Sequence, residues 1–101
     1  MWIFALFDLP SDSPSRRRSA SRFRKDLLAI GFHRFQLSCY ARYCFSSSQA
    51  HTIQSRVERF LPQHGEVIIF LSTDQQMSRT RIFSGRALVT PPYPPGRFLI
   101  L

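Results

Sequence analysis

Asp8 is the residue whose position most directly suggests chemistry, because it ends the apolar run Trp2–Phe7. Burying an unpaired carboxylate is costly, so a carboxylate at the end of an apolar strand needs an explanation. One explanation is an oxygen ligand for a hard cation such as Mg²⁺. The other is a surface Asp that starts a turn. The residues alone leave both open, and one carboxylate makes a poor metal site unless a two-fold axis near Asp8 supplies a second.

A cluster of arginines follows Asp8 in the chain. Three consecutive arginines near the predicted start of a helix oppose the helix dipole by about 0.3–1 kcal/mol each. A solvated helix face accounts for such a cluster, but phosphate binding explains better why the cost is tolerated, since the guanidinium holds phosphate through two hydrogen bonds. The cluster comprises Arg16, Arg17, Arg18, Arg22 and Arg24.

The net charge supports a polyanionic partner. Fourteen basic residues against six acidic ones give a formal charge of +8 over 101 residues. A single domain this basic is typical of nucleic-acid-binding proteins. A genome rich in G and C explains the preference for arginine over lysine but not the charge itself. The hydrophobic fraction of 44% indicates a globular chain.

Several other chemistries are excluded. The two cysteines, Cys39 and Cys44, fit neither a redox pair nor a zinc site, and free buried thiols suit the cytoplasm. The three histidines share no metal-binding spacing and are interpreted as structural or surface residues. The apolar N-terminal run lacks a basic leader and is far too short to span a membrane.

The elements that must position these residues follow from the hydrophobic pattern. Trp2–Phe7 predicts a buried strand, and an apolar stripe at helical spacing predicts a helix that starts near Ser15 or Arg16 and stops at Gly31. Two short strands are predicted at His33–Leu37 and Tyr40–Phe45, with a turn near Ser38; one long bulged strand is the alternative. A second helix after Ser46–Ser48, a buried strand Val67–Leu71 and a short strand Arg81–Phe83 complete the order.

This order predicts an α+β fold, a ferredoxin-like β-α-β-β-α-β sandwich with a short extra C-terminal strand. Residues 1–86 are expected to form the domain and residues 87–101 a proline-rich tail. The end of the tail, Phe98–Leu101, is apolar enough to dock, and the chain after Gly85 could add a strand across a dimer interface.

Several motifs resemble those of the Cas-two family of CRISPR-associated proteins. Each motif is weak alone, but together they span residues 1 to about 86 in the right order. The long arginine-rich first loop and helix are most similar to members found beside Cas-nine effectors. The matching stretches are Trp2–Pro10, Gly31–Tyr40 with its Gln-x-Ser-x-aromatic core, Pro62-x-x-Gly65, Thr73-Asp74-x-Gln76 and Ile82-Phe83-x-Gly85.

The resemblance implies a homodimer that holds Mg²⁺ between two copies of Asp8. It also implies a role in spacer acquisition, as the centre of a complex with the Cas-one integrase that binds duplex DNA or RNA. Some members act as Mg²⁺-dependent endonucleases and others as scaffolds. Asp8 matches the catalytic metal ligand, while Arg22, Arg34 and Tyr40 match positions near the cleft. Phe7 stands where a Tyr is common, which removes a hydroxyl from the site.

Two other functions remain possible from the sequence. A non-catalytic RNA-binding module has the same element order, but Tyr40–Phe45 lacks the glycine and the spacing that the RRM motif requires. A small metabolite-binding ferredoxin-like domain leaves the charge of +8 unexplained.

Overall fold

A four-stranded antiparallel sheet forms the centre of the protein. The structure, a computed structural model, describes residues 1–89. The strands lie in the order β2-β3-β1-β4, so β1 is an inner strand between β3 and β4. Their bounds are β1 Trp2–Asp8, β2 His33–Gln36, β3 Cys39–Tyr43 and β4 Glu66–Ser72.

Two helices cover one face of the sheet, and we call the opposite side the open face. Ser13 caps α1 (Pro14–Ala29), its hydroxyl accepting from the Arg16 backbone N–H at 3.2 Å. The helix therefore starts slightly earlier than predicted, because Pro14 is compatible with a first helical position. Gly31 follows α1 with φ +94°, which confirms the predicted left-handed stop. Ser46 caps α2 (Ser47–Glu58) in the same way.

The period-two alternation of β1 divides the hydrophobic residues between two layers. Ile3, Ala5 and Phe7 pack against the helices in the main core. Trp2 and Phe4 lie on the open face, where they form a smaller cluster. This is the arrangement that the apolar run predicted, and the ferredoxin-like α+β fold is confirmed.

A short helix that the sequence analysis missed covers part of the open face. Helix α3 (Asp74–Ser78) begins with a capping box. The Thr73 hydroxyl accepts a hydrogen bond from the Gln76 backbone N–H, and the Gln76 side-chain oxygen accepts one from the Thr73 backbone N–H. Its Met77 is buried against Trp2 and Phe4. The other end of the open face, toward Asp8, is not covered by α3.

Strand β4 differs from its prediction as a buried strand. It lies at the edge of the sheet and alternates, with Val67 and Ile69 packed against the core and Ile68 59% and Phe70 43% exposed. A continuous apolar run predicts burial on both faces, but the helices cover only one of them. Apolar side chains therefore remain exposed on the open face.

The predicted pair of strands with a turn near Ser38 is confirmed, so the alternative of one long bulged strand is wrong, although the pairing of β2 with β3 is irregular. The register between β2 and β3 shifts between Arg34 and Gln36. After α3, β5 (Ile82–Ser84) pairs antiparallel with β6 (Ala87–Val89) in a separate two-stranded sheet. This pairing crosses the expected boundary after residue 86. The predicted docking of Phe98–Leu101 lies outside the described residues.

Candidate functional site

Asp8 is the last residue of β1 and is exposed to solvent. Its partner across the β1–β4 ladder is Glu66, the first residue of β4. The antiparallel pairing brings these two carboxylates together because one strand ends where the other begins. Like charges directly opposite each other destabilise a sheet, so their pairing at one end of the ladder calls for a function.

A carboxylate pair fits the oxygen-ligand preference of Mg²⁺. Directly opposed residues in an antiparallel ladder have Cβ atoms about 4.5–5.5 Å apart, within reach of a shared cation. Within residues 1–89, no group of three or more His, Cys, Asp or Glu side chains is arranged to hold a metal. Asp8 and Glu66 are therefore the two carboxylates that one chain offers here, and other oxygen donors, water or a second chain would complete the coordination.

Gly65 fixes the approach of β4 to the end of β1. It has φ +95°, and a Cβ at this position would lie 2.6 Å from the Asp8 carbonyl oxygen and 2.9 Å from a methyl carbon of Leu9. Any side chain would push the Asp8 and Leu9 backbone away. The glycine thus permits the close contact that sets Glu66 beside Asp8.

Two surface concavities meet at the carboxylate pair. The first opens toward the open face and is lined by Leu6, Phe7, Asp8, Ser38, Glu66 and Ile68. The second lies at the end of the sheet, and we call it the Asp8 pocket. Its lining residues are Asp8, Pro10, Arg16, His64, Gly65 and Glu66.

The structure separates Arg16 from its neighbours in the arginine cluster. Arg16 is four residues before Ala20 and seven before Phe23, so it continues the buried stripe of α1. At the first turn this stripe extends past the end of the sheet, which places Arg16 in the Asp8 pocket. Its side chain is 39% exposed. Its Nη1 donates to the Asp12 carboxylate at 3.1 and 3.3 Å.

Three of the other arginines of the cluster lie on the outer side of α1, whereas Arg24 is half-buried, with its guanidinium carbon 5.8 Å from the centre of the Phe7 ring. With Lys25 the three form an exposed row at helical spacing that we call the basic stripe, made of Arg17, Arg18, Arg22 and Lys25. The same residues, with Pro14 and Ser21, line a shallow surface groove. Arg17 also donates to the Ser11 carbonyl oxygen at 3.0 Å, which ties the stripe to the β1–α1 loop. The stripe presents four cations to solvent.

Arg34 and Tyr40 do not line either concavity at Asp8. They are cross-strand partners on β2 and β3, and Arg34 is exposed on the edge strand. Tyr40 is only 4% exposed, and its ring lies 5.4 Å from that of Phe7 in the main core. A ring so deeply buried offers little surface to a nucleic acid. Their role in binding stays a prediction.

The cysteines behave as the sequence analysis expected of structural thiols. Among the described residues both are free; Cys44 is buried and Cys39 half-buried. Burial raises the pKa of the Cys39 thiol, so it remains protonated at neutral pH. A protonated thiol is a poor nucleophile and a poor metal ligand.

Glu66 and His64 are the residues of the site that sequence reasoning missed. Glu66 was detectable, because an antiparallel strand that begins with a carboxylate must set it against the strand that ends with one. His64 was interpreted as a structural or surface residue, and it is exposed but lines the Asp8 pocket. No spacing signal joins it to Asp8, which is 56 positions away in the sequence.

The fold and the site define a basic ferredoxin-like protein with paired carboxylates at one end of its sheet. The crystal structure of Streptococcus pyogenes Cas2 superposes with a TM-score of 0.62, covering 83% of this chain and 100% of that one at 15% identity. That similarity concerns the fold. No helix within residues 1–89 has the length and hydrophobicity to cross a membrane.

Sequence relatives identify the family. The family model described as CRISPR associated protein Cas2 matches residues 1–80. A CRISPR-associated endoribonuclease Cas2 from Parvibaculum lavamentivorans is 42% identical over 86 residues, 85% of each chain. One from Paracidovorax avenae is 40% identical over 98 residues, covering 97% of this chain and 91% of the relative. One from Rhodospirillum rubrum is 48% identical over 77 residues, covering 76% and 69%.

The chain belongs to the Cas2 family of CRISPR-associated proteins. The family resemblance read from the motifs is thereby confirmed, and the relatives are named as endoribonucleases. A CRISPR-associated function follows for this chain.

Proposed function

We propose that the protein is an Mg²⁺-dependent endonuclease that cleaves phosphodiester bonds at the Asp8 pocket and holds nucleic acid through the basic stripe. The observation that carries the proposal is the direct pairing of Asp8 with Glu66 in a pocket that also contains Arg16. The names of the relatives favour RNA as substrate, and the charge of +8 is compatible with duplex DNA as well.

Asp8 and Glu66 would hold the cation, since both carboxylates are exposed at the end of the ladder. When bound, Mg²⁺ supplies a water of lowered pKa and neutralises charge on the attacked phosphate. The protein side chains orient the substrate. The basic stripe holds phosphates of the backbone without reading bases, because phosphate contacts position a nucleic acid while base contacts specify sequence.

The proposal includes a homodimer. Ile68 and Phe70 are exposed on the open face, and Phe83 and Leu88 are 57% and 52% exposed on the β5–β6 sheet. Exposed apolar groups of this size favour a protein partner, and a second copy would also bring a second Asp8 toward the first.

Light scattering of the wild type and of Phe70→Asp is expected to show a dimer and a monomer, respectively. Leu28→Asp, an exposed apolar position on α1, is the control that should stay dimeric.

Spacer acquisition with the Cas-one integrase remains part of the proposal, with this protein as the central dimer that binds duplex DNA. Family membership supports this role. Co-purification of the two proteins with and without a duplex tests it. A dimer that never associates with the integrase would restrict the function to cleavage.

Cleavage is tested with RNA and DNA substrates in Mg²⁺ and in EDTA. We expect Asp8→Asn to reduce cleavage to background, because it removes an anionic ligand while keeping the shape of the side chain. Glu66→Gln is expected to reduce cleavage less if Asp8 can still hold the ion with water. If neither wild type nor variants cleave but all bind, the protein is a scaffold and the catalytic part of the proposal is wrong.

A further inference from the structure

We infer that Arg16 binds the reacting phosphate at the Asp8 pocket and does not belong to the surface that holds the nucleic-acid backbone. The inference rests on the proposed function and assigns a role to one further residue of the same site. It also separates this residue from the cluster in which it stands in the sequence, Arg16–Arg18.

The first argument is position. Arg16 lines the same pocket as Asp8 and Glu66, whereas Arg17, Arg18 and Arg22 line a groove on the outer side of α1. One helix cannot present positions 16 and 18 to the same side, because successive residues are about 100° apart around its axis. A phosphate bound at the carboxylate pair would therefore lie in the same pocket as Arg16, and Arg18 would lie on the other side of the helix.

The second argument is charge balance. Two carboxylates compensate a divalent cation, so the negative charge of a bound phosphodiester needs a further positive group. Among residues 1–89, Arg16 is the one permanently charged cation that lines the Asp8 pocket. Its planar fork matches two phosphate oxygens. A phosphate held between the metal and Arg16 would be neutralised on both sides.

The third argument is the present partner of Arg16. Its Nη1 contacts both oxygens of Asp12, at 3.1 and 3.3 Å, so the guanidinium already binds a two-oxygen anion. Asp12 is 72% exposed, and an exposed ion pair of this kind contributes little to stability. A phosphate can therefore replace the carboxylate at little cost.

The chemistry that this assigns to Arg16 is binding without proton transfer. In the hydrolysis a water oxygen forms a bond to phosphorus, the bond from phosphorus to the leaving oxygen breaks, and the proton of the water ends on that oxygen. Arg16 keeps its charge throughout, because a guanidinium is not deprotonated in proteins. It compensates charge on the non-bridging phosphate oxygens, which increases toward the transition state.

Arg16→Gln and Arg18→Gln form the matched pair that tests this, because they remove one charge each, two positions apart. Arg16→Gln should lower kcat about 10²-fold, as loss of one transition-state donor does, and leave duplex affinity nearly unchanged. Arg18→Gln should weaken duplex binding and reduce its salt slope by about one unit, because it removes one phosphate contact of the basic stripe. Equal kcat for Arg16→Gln and wild type would overturn the inference and leave the nuclease assignment intact.

A binding measurement keeps the inference testable if the wild type does not cleave. Inorganic phosphate is titrated with Mg²⁺ while the Nε–Hε resonance of Arg16 is followed by NMR. We expect a saturable shift that becomes tighter in Asp12→Asn, because the competing carboxylate is removed. Absence of a shift, or an affinity for phosphate that is equal in wild type and Asp12→Asn, would contradict phosphate binding by Arg16. This result does not depend on catalysis.

Discussion

The Asp8 pocket and the basic stripe both contain arginines of the same short segment, yet their surroundings differ. Arg16 lines a pocket together with two carboxylates and a histidine, where the helix passes the end of the sheet. The stripe faces solvent, with further cations beside each member. The mixed pocket suits a cation and one phosphate, and the uniformly basic surface suits a run of phosphates. The chemistry of each arginine therefore depends on its neighbouring residues more than on how many arginines the segment contains.

Gly65→Ala is expected to have the largest effect on the Asp8 pocket, because it disturbs the backbone that carries the carboxylate. The left-handed conformation costs a non-glycine residue about 1–2 kcal/mol, and displacing the Asp8 and Leu9 backbone adds about 1–3 kcal/mol. Urea unfolding measures the loss, and duplex binding by the remaining folded protein should persist because the stripe lies elsewhere.

Gly85→Ala is the matched control for this change. Gly85 has φ +60°, but a Cβ there meets no atom within 4 Å. It should therefore show only the conformational cost of about 1–2 kcal/mol. Equal losses at the two glycines would mean that the contact of Gly65 with Asp8 has no energetic consequence.

Removing two charges from the basic stripe is expected to reduce duplex binding without affecting the pocket. The double variant Arg18→Gln/Arg22→Gln should lose about two units of the log–log salt slope, one per phosphate contact. Fluorescence anisotropy with a duplex at several salt concentrations measures this.

The double variant Arg56→Gln/Arg59→Gln removes the same charge from α2 and its cap and is the control. If both double variants lose the same slope, net charge alone governs binding and the stripe is not a specific surface.

The smallest expected effect concerns the thiol beside the Asp8 region. Cys39 pairs with Leu6 on the open face, and burial raises the pKa of its thiol. The rate of alkylation by iodoacetamide at pH 8 should therefore be lower than that of a fully exposed cysteine, and the rate should increase at higher pH. The folded-state pKa exceeds the unfolded one, so the contribution of the thiol to stability is complete below the unfolded-state pKa and is lost as the pH rises through the folded-state pKa. Alkylation as fast as that of a free cysteine would show that this part of the open face is fully hydrated.

The sequence was sufficient to predict the order and type of the main elements, because their hydrophobic periods are regular and their caps are clear. Ser46 and Gly31 define helix ends through local bonds and local backbone angles, whereas the cap of α1, Ser13, lies before the predicted start near Ser15 or Arg16. The exposure of β4 was not predictable from its apolar run, since it depends on which strand lies at the edge of the sheet. Helix α3 is only five residues long and too short for a periodic signal.

The site was only partly predictable for the same reason. Asp8 is recognisable because it ends an apolar strand. The position of Glu66 opposite Asp8 depends on the pairing of β1 with β4. The separation of Arg16 from the other arginines is predictable from residue spacing, because Arg16 falls on the same helical stripe as the buried Ala20 and Phe23. Interpreting the consecutive arginines as one patch hides this difference. His64 joins the pocket only through the fold.

The central claim is that cleavage and duplex binding reside in different regions, and one experiment tests it most directly. Asp8→Asn and Arg18→Gln/Arg22→Gln are each assayed for cleavage at saturating substrate with Mg²⁺ and for duplex affinity in EDTA. We expect Asp8→Asn to lose cleavage and keep affinity, with a slight gain from the removed negative charge, and the arginine variant to lose affinity and keep cleavage. Loss of both properties in either variant would contradict the separation.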